Sequence, residues 1–208
     1  MRKPKILMIV MAVLTLGMVM ISCSEDDNEV VEYPDWQANN DNFFNRLSDS
    51  VVNLLAADPA RTDWKRIKAW SKPQSAAGNN SDYIIVNVLH AADVSKNGVP
   101  AYTDTVKVAY VGQLLPSNSY PSGFIFDRTF SGEYDPMLSA TTKFAIGNST
   151  GNNLVDGFAT ALQHMRKGDR WKVYIPYQLG YGEVDNGSIP AYSTLIFDLV
   201  LVDFWSPR

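Results

Sequence analysis

The hydrophobic positions of this chain change their period along its length, and each change marks a different kind of element. Ile6 to Ile21 is an almost wholly apolar run, with only Thr15 and Gly17 as weak interruptions. From Tyr33 to about Ala57, Trp36, Phe43, Phe44, Leu47, Val51, Leu54 and Leu55 recur at spacings of three, four and seven, the period of an amphipathic helix. Asp58-Pro59 stops it, because proline breaks the helical ladder. Thr62-Asp63 then predicts the cap of a second short helix carrying Trp64, Ile67 and Trp70, among Lys65, Arg66 and Lys68. Residues 72–81 (KPQSAAGNNS) are rich in turn formers and mark the expected domain boundary. Beyond them the period falls to two. Tyr83 to Leu89 and Thr105 to Val111 read as strands, and Leu114 to Asp135 predicts a long exposed loop or a bulged strand. Phe144-Ala145-Ile146 is a short apolar piece ended by Gly147. Val155, Phe158, Leu162 and Met165 return to the helical period, with Asp156 near the start and Arg166-Lys167 near the end, as the helix dipole favours, before Gly168. A helix of about three turns is predicted. Arg170 to Pro176 and Thr194 to Trp205 close the chain as strands, the second with Leu195, Phe197, Leu199 and Leu201 on one face. Strands, one helix, then strands, without an internal repeat, argue against a wound α/β sheet.

Composition narrows the class. The 208 residues hold one domain with an extension, or two small ones, and 46% hydrophobic against 19% charged residues exclude a disordered chain. A net charge of -4 supplies no basic field for nucleic acid, so no nucleic-acid partner is expected. One cysteine and two histidines disfavour a disulfide scaffold or a zinc site.

Arg2, Lys3 and Lys5 precede the first apolar run, the pattern of a secretory signal over residues 1–22. A spanning helix is the alternative, although the run falls short of the roughly 20 apolar residues a bilayer needs. Met20-Ile21-Ser22-Cys23 resembles the lipobox of bacterial lipoproteins, with Met20 in place of the usual leucine. That resemblance implies cleavage before Cys23, lipid on its thiol and the membrane as a partner. Cleavage would leave 15 of the 18 basic residues against 22 acidic ones, a balance of -7. Glu25, Asp26, Asp27, Glu29 and Glu32 crowd the segment 23–32 behind Cys23, which reads as a solvated tether. It also resembles the acidic export tag of some lipoproteins of Bacteroidetes-like bacteria. The expected location is the cell envelope, lipid-anchored to the outer membrane on its periplasmic or exterior face.

Chemistry is sparse. No GxxxxGKS, GxGxxG, GxSxG or HExxH motif is present, and His90 and His164 have no cysteine or serine partner at a recognisable spacing. Asp127 and Asp135 could be imagined as the acid and base of a glycosidase, but sequence does not set their separation. The distinctive feature is an ordered series of aromatics beside turn residues: Val108-Ala109-Tyr110-Val111-Gly112, Phe124-Ile125-Phe126-Asp127, Leu154-Val155-Asp156-Gly157-Phe158, Met165-Arg166-Lys167-Gly168-Asp169-Arg170, Ile175-Pro176-Tyr177, Leu179-Gly180-Tyr181-Gly182 and Ile189-Pro190-Ala191-Tyr192-Ser193-Thr194-Leu195-Ile196-Phe197-Asp198.

Together these resemble the FKBP-type peptidyl-prolyl cis-trans isomerases over residues 82–208. The resemblance implies an α+β fold, an antiparallel sheet half wrapped around one short helix, here with a helical N-terminal extension over 33–77. It implies that Tyr110, Phe126, Asp127, Val155, Phe158, Tyr181, Ile189 and Phe197 wall a proline pocket, needing no cofactor or metal. In the family the Val155 N–H and the Tyr181 hydroxyl meet carbonyls of the bound chain, and the Phe158 position is the floor. This sequence departs from the family at several points. Phe158 replaces the usual tryptophan, Ala109 a common histidine and Ala191 the second proline of an IPP turn. Thr142 stands where an aromatic is usual, and the loop from Gln113 to Phe124 is lengthened. Asp127 is expected to orient Tyr110 or Tyr181.

The implied partners are proline-containing segments of exported proteins. The alternative is a non-catalytic module that binds protein or glycan, as a chaperone or a surface adhesin would. The apolar stripe of the first helix must be covered by something. Either it packs on the domain, or residues 33–70 form a homodimer.

Overall fold

The computed structural model describes residues 31–93, 98–147 and 154–206. The expected signal segment, Cys23 and the acids at 25–29 lie outside the described residues. No helix among the described residues is long and apolar enough to cross a membrane. Helix α1 runs Trp36–Ala57, followed by β1 (Trp64–Lys68), β2 (Tyr83–His90), β3 (Thr105–Gln113), β4 (Ile125–Arg128), β5 (Thr142–Ala145), α2 (Asp156–Leu162), β6 (Arg170–Ile175) and β7 (Leu195–Trp205). The strands form one antiparallel sheet in the order β1-β2-β6-β7-β3-β4, with β5 also paired to β3. The class is α+β, as expected.

Side-chain alternation sorts the residues onto two faces. On the inner face Ile84, Val86, Trp171, Val173, Ile175, Leu195, Leu199 and Leu201 are buried with Phe158, Ala161 and Leu162 of α2. Gly157 allows this approach, because a Cβ there would lie 2.3 Å from Ile175 Cγ2. On the outer face Ile85 is buried against Phe44 and Val51 of α1, with Trp64 and Tyr174 packed around them. Ile84, Ile85 and Val86 are therefore all fully buried, which explains an apolar run in place of strict alternation.

The first helix forms where its period predicts, and most of its stripe packs on the chain's own sheet and loops, with Trp36, Phe44 and Val51 buried and Leu54 left exposed. Two of the five residues it buries are polar, Asn40 and Ser48, and both are satisfied. Asn40 Nδ2 donates to the Trp36 carbonyl at 2.8 Å, and Ser48 Oγ donates to Asn80 Oδ1 at 2.9 Å.

The second predicted helix is a strand. Trp64–Lys68 pairs residue for residue with Asn87 back to Tyr83, so the segment 33–77 is only partly helical. Spacings of three among Trp64, Ile67 and Trp70 suit a helix, but the pairing with β2 supplies hydrogen bonds and uses both sides of the segment. Lys65 lies over the Trp171 ring, while Arg66 stacks on Tyr83 and donates to Ser48 Oγ and Asn80 Oδ1. The turn-rich loop at 72–81 is accordingly a connection within one sheet, and Glu32–Arg208 forms one compact unit. Helix α2 is also shorter than predicted, ending at Leu162. A tighter turn follows, with Met165 N–H shared between the Ala161 and Leu162 carbonyls, and buries Met165 completely.

The lengthened loop after β3 closes on itself, with Leu114 N–H donating to the Phe124 carbonyl at 2.9 Å. Glu32, the last acid of the expected tether, clasps it. Its carboxylate accepts from Ser117 Oγ and the Ser119 N–H, and these bonds hold its pKa below the ordinary value.

Candidate functional site

Strand register brings the first wall of the site together. Tyr110 on β3 pairs with Leu199 on β7, and Gly112 pairs with Phe197, so Tyr110 and Phe197 share the inner face on adjacent strands. Gly112 leaves space for rings across the backbone. A Cβ there would meet Phe126 Cζ at 2.6 Å and Phe197 Cε1 at 2.8 Å. Phe126 and Asp127 come from β4, and Val155 and Phe158 from the start of α2. Tyr181 and Ile189 lie on the long connection between β6 and β7.

All eight residues line one open cavity of about 570 Å³. Phe158 is 3% exposed, with ring centroids 4.8 Å from Phe197 and 5.9 Å from Tyr110. Phe126 meets Phe197 edge to face at 5.6 Å. Edge-to-face contacts at these separations are favourable beyond the area they bury. The result is a wall of apolar rings with a few polar groups at the rim.

Sequence reasoning missed Phe144, Leu154, Asn186, Gly187 and Ser188, which also line the cavity. Phe144 pairs across β5–β3 with Val106 and lies 6.1 Å from both Tyr110 and Phe158, while Thr142 begins the same strand. An aromatic side chain is thus present two residues after the position where one was looked for. Asn186 and Ile189 form a bridge around Gly187-Ser188, and the Asn-Gly pair was the available signal of such a tight turn.

The electrostatics are those of neutral donors beside one carboxylate. The Tyr110 hydroxyl, on a residue only 7% exposed, donates to Asp127 Oδ2. Burial raises its pKa first, and the bond to Asp127 adds to that. Burial and the Asp127 charge also raise the pKa of Tyr181, which is 37% exposed. Both hydroxyls stay protonated at neutral pH. Among the described residues, neither the Tyr181 hydroxyl nor the Val155 N–H has a hydrogen-bond partner, so both can meet an incoming chain.

Asp135 does a different job from Asp127. It accepts from the Met137 and Leu138 N–H groups in a turn and lines a different concavity from Asp127. His164 stacks on Trp70, and His90 ends β2 exposed. Among the described residues no group of three or more His, Cys, Asp or Glu side chains could hold a metal. A second concavity of about 440 Å³ is lined by Arg128, Glu133 and Asp135 with a single aromatic, Phe130, which suits an apolar ring less well.

The wall between Gly182 and Thr194 is held by hydrogen bonds. Tyr192 N–H donates to the Gly182 carbonyl at 2.9 Å. Ala191 N–H donates to Asp185 Oδ1 at 2.7 Å. A proline at 191 would bring no N–H, so this bond depends on alanine standing there.

The family described as FKBP-type peptidyl-prolyl cis-trans isomerase matches residues 97–202. The chain is 36% identical over 104 residues to the macrophage infectivity potentiator of Trypanosoma cruzi, covering 50% of this chain and 44% of that one. It is 34% identical over 109 residues to the FKBP-type 22 kDa peptidyl-prolyl cis-trans isomerase of Escherichia coli (strain K12), covering 52% and 45%. The crystal structure of FkpA from Escherichia coli matches at 19% identity with a TM-score of 0.49, covering 100% of this chain and 75% of that chain. The matched regions span less than half the length of the two relatives compared by sequence.

Proposed function

The chain belongs to the FKBP-type peptidyl-prolyl cis-trans isomerase family, and on that premise we propose that it catalyses rotation about Xaa-Pro bonds in exported polypeptides, using the aromatic cavity. The observation that carries this reading is the cluster of Tyr110, Phe126, Phe158 and Phe197 around an open cavity of about 570 Å³, with Asp127, Tyr181 and Val155 at hand. The proline ring enters over Phe158. The Val155 N–H and the Tyr181 hydroxyl hold flanking carbonyls, while Asp127 orients Tyr110.

The uncatalysed rotation crosses a barrier of roughly 18–20 kcal/mol because the planar amide is resonance stabilised. Water favours the planar, more polar form. A pocket of rings excludes that water and binds the twisted, less polar amide better, which lowers the barrier without a nucleophile or a proton transfer. The raised pKa values of Tyr110 and Tyr181 suit such a role, since neutral hydroxyls donate without ionising. The test is a protease-coupled assay of a tetrapeptide with one Xaa-Pro bond, alongside the Phe158→Ala variant. Turnover lost in the variant supports the reading. A folded wild type no faster than buffer that still protects an aggregating client or retains a glycan would favour the binding-module alternative.

The anchor is proposed on sequence grounds, from Arg2, Lys3 and Lys5, the apolar run and Cys23. Lipid on Cys23 would hold the protein at the outer membrane, where newly exported chains pass. Palmitate labelling that disappears in Cys23→Ala is the expected outcome. A variant retained in membranes at full uncleaved mass, beside an unlabelled wild type, would make residues 6–21 a spanning helix.

A further inference from the structure

The loop that closes the cavity is fastened to a helix from the other end of the chain. Trp36 Nε1 on α1 donates to Ser193 Oγ at 2.9 Å, and Ser193 Oγ donates to the Pro190 carbonyl at 2.6 Å. One turn along α1, Asn40 Oδ1 accepts from the Thr194 N–H at 2.7 Å, while its Nδ2 donates to the Trp36 carbonyl at 2.8 Å. Trp36, Asn40, Ser193 and Thr194 are all buried, so water does not compete for these bonds and losing one partner leaves the other unsatisfied.

The fastened segment has reason to need holding. Tyr192, between Ala191 and Ser193, has φ +62°, a conformation that side chains other than glycine adopt at a cost and that persists where the surroundings over-determine it. A few residues earlier, Asn186 to Ile189 line the cavity. The matched family region begins at residue 97, so α1 lies wholly outside it.

We infer that Trp36 and Asn40 are positioning residues of the proline pocket: α1 acts as a clamp that sets the Gly182–Thr194 loop, and through it Ile189, for the bound chain. The inference rests on the isomerase reading for its kinetic consequence and on hydrogen bonding alone for its structural one. Trp36→Phe removes the N–H and keeps a ring, Asn40→Leu removes both bonds of that side chain, and Ser193→Ala breaks the relay to Pro190. Val51→Ala, on the same helix but packed against Ile85, lowers stability without touching the loop.

The full-length protein is read by amide hydrogen exchange over 182–194, by titration with an Xaa-Pro peptide, and by KM and kcat. Trp36→Phe, Asn40→Leu and Ser193→Ala are expected to speed loop exchange about tenfold and to raise KM and peptide Kd about threefold to tenfold, with kcat within about twofold. Combining Trp36→Phe with Ser193→Ala should add little, since both break one relay. Val51→Ala should lower Tm and leave KM and loop exchange unchanged. Equal effects from Val51→Ala, or faster exchange with KM and Kd unchanged, would overturn the inference. Should Asn40→Leu fail to fold, the other two variants carry the test. A wild type without turnover would sink the isomerase reading alone, because exchange and peptide affinity still decide whether α1 sets the loop.

Discussion

The two walls of the cavity are built on different physical terms. On the sheet side, Tyr110 and Phe197 are set by strand register, Phe126 sits at the irregularity in the β3–β4 pairing, and Phe197 joins the rings by touching Tyr110, Phe126 and Phe158. On the loop side, Asn186 to Ile189 sit on a turn-rich connection whose shape depends on single hydrogen bonds, from Ala191 to Asp185, from Trp36 to Ser193 and from Thr194 to Asn40. The difference implies that damage to the first wall appears as lost stability, and damage to the second as lost affinity.

Phe197→Ala should break that comparison most severely on the sheet side. It removes a ring 6% exposed that touches Phe126, Phe158 and Tyr110, and should cost about 3–5 kcal/mol in denaturant unfolding at unchanged m. A loss below about 1 kcal/mol would mean that the rings do not share a core.

Tyr110→Phe keeps the ring and deletes one hydroxyl. Stability should fall by about 0.5–1.5 kcal/mol, the range for one hydrogen bond, and kcat/KM by about threefold to tenfold as Asp127 loses its partner. Unchanged kcat/KM would remove Asp127 and this hydroxyl from the chemistry.

On the loop side Asp185→Ala should leave Tm nearly unchanged and raise KM about twofold. Adding Ala191→Pro should restore KM, because ring closure and the Asp185 bond are alternative constraints on φ. A double variant no better than Asp185→Ala would show that the bond does not shape the pocket.

The smallest effect concerns pH. With Tyr110 and Tyr181 pKa values raised, kcat/KM should be flat from about pH 6 to 9. Stability has its own sign. The folded tyrosines keep protons that the unfolded chain loses above about pH 10, so their stabilising effect is full below that pH and declines as pH rises further. A bell-shaped activity profile near neutrality would contradict a mechanism without proton transfer.

Much of the sheet wall was legible in the chain. Val106, Val108 and Tyr110 alternate, Leu195 to Leu201 do the same, and the motif around Phe158 carries its own helix start. The fate of Trp64 to Lys68 was not legible, because apolar positions three apart suit a helix and fall on opposite faces of a strand, and only the pairing with β2 decided for strand. Asn40 and Ser48 lie outside the apolar positions that set the helical period, yet both are buried and bonded. Nothing in the chain's pattern marks Asp185, because its partner, the Ala191 N–H, is brought to it by the fold of the loop.

The amino-acid sequence by itself determined which segments alternate and which turn, since side-chain period is a property of neighbours along the chain, while the grouping of aromatics from different segments came from the resemblance to the family. The tertiary structure alone decided that the first helix clamps the last loop. Trp36 and Ser193 are 157 positions apart, and a polar pair of that separation leaves no periodic trace. A buried donor demands an acceptor, but local sequence does not say which one it will meet.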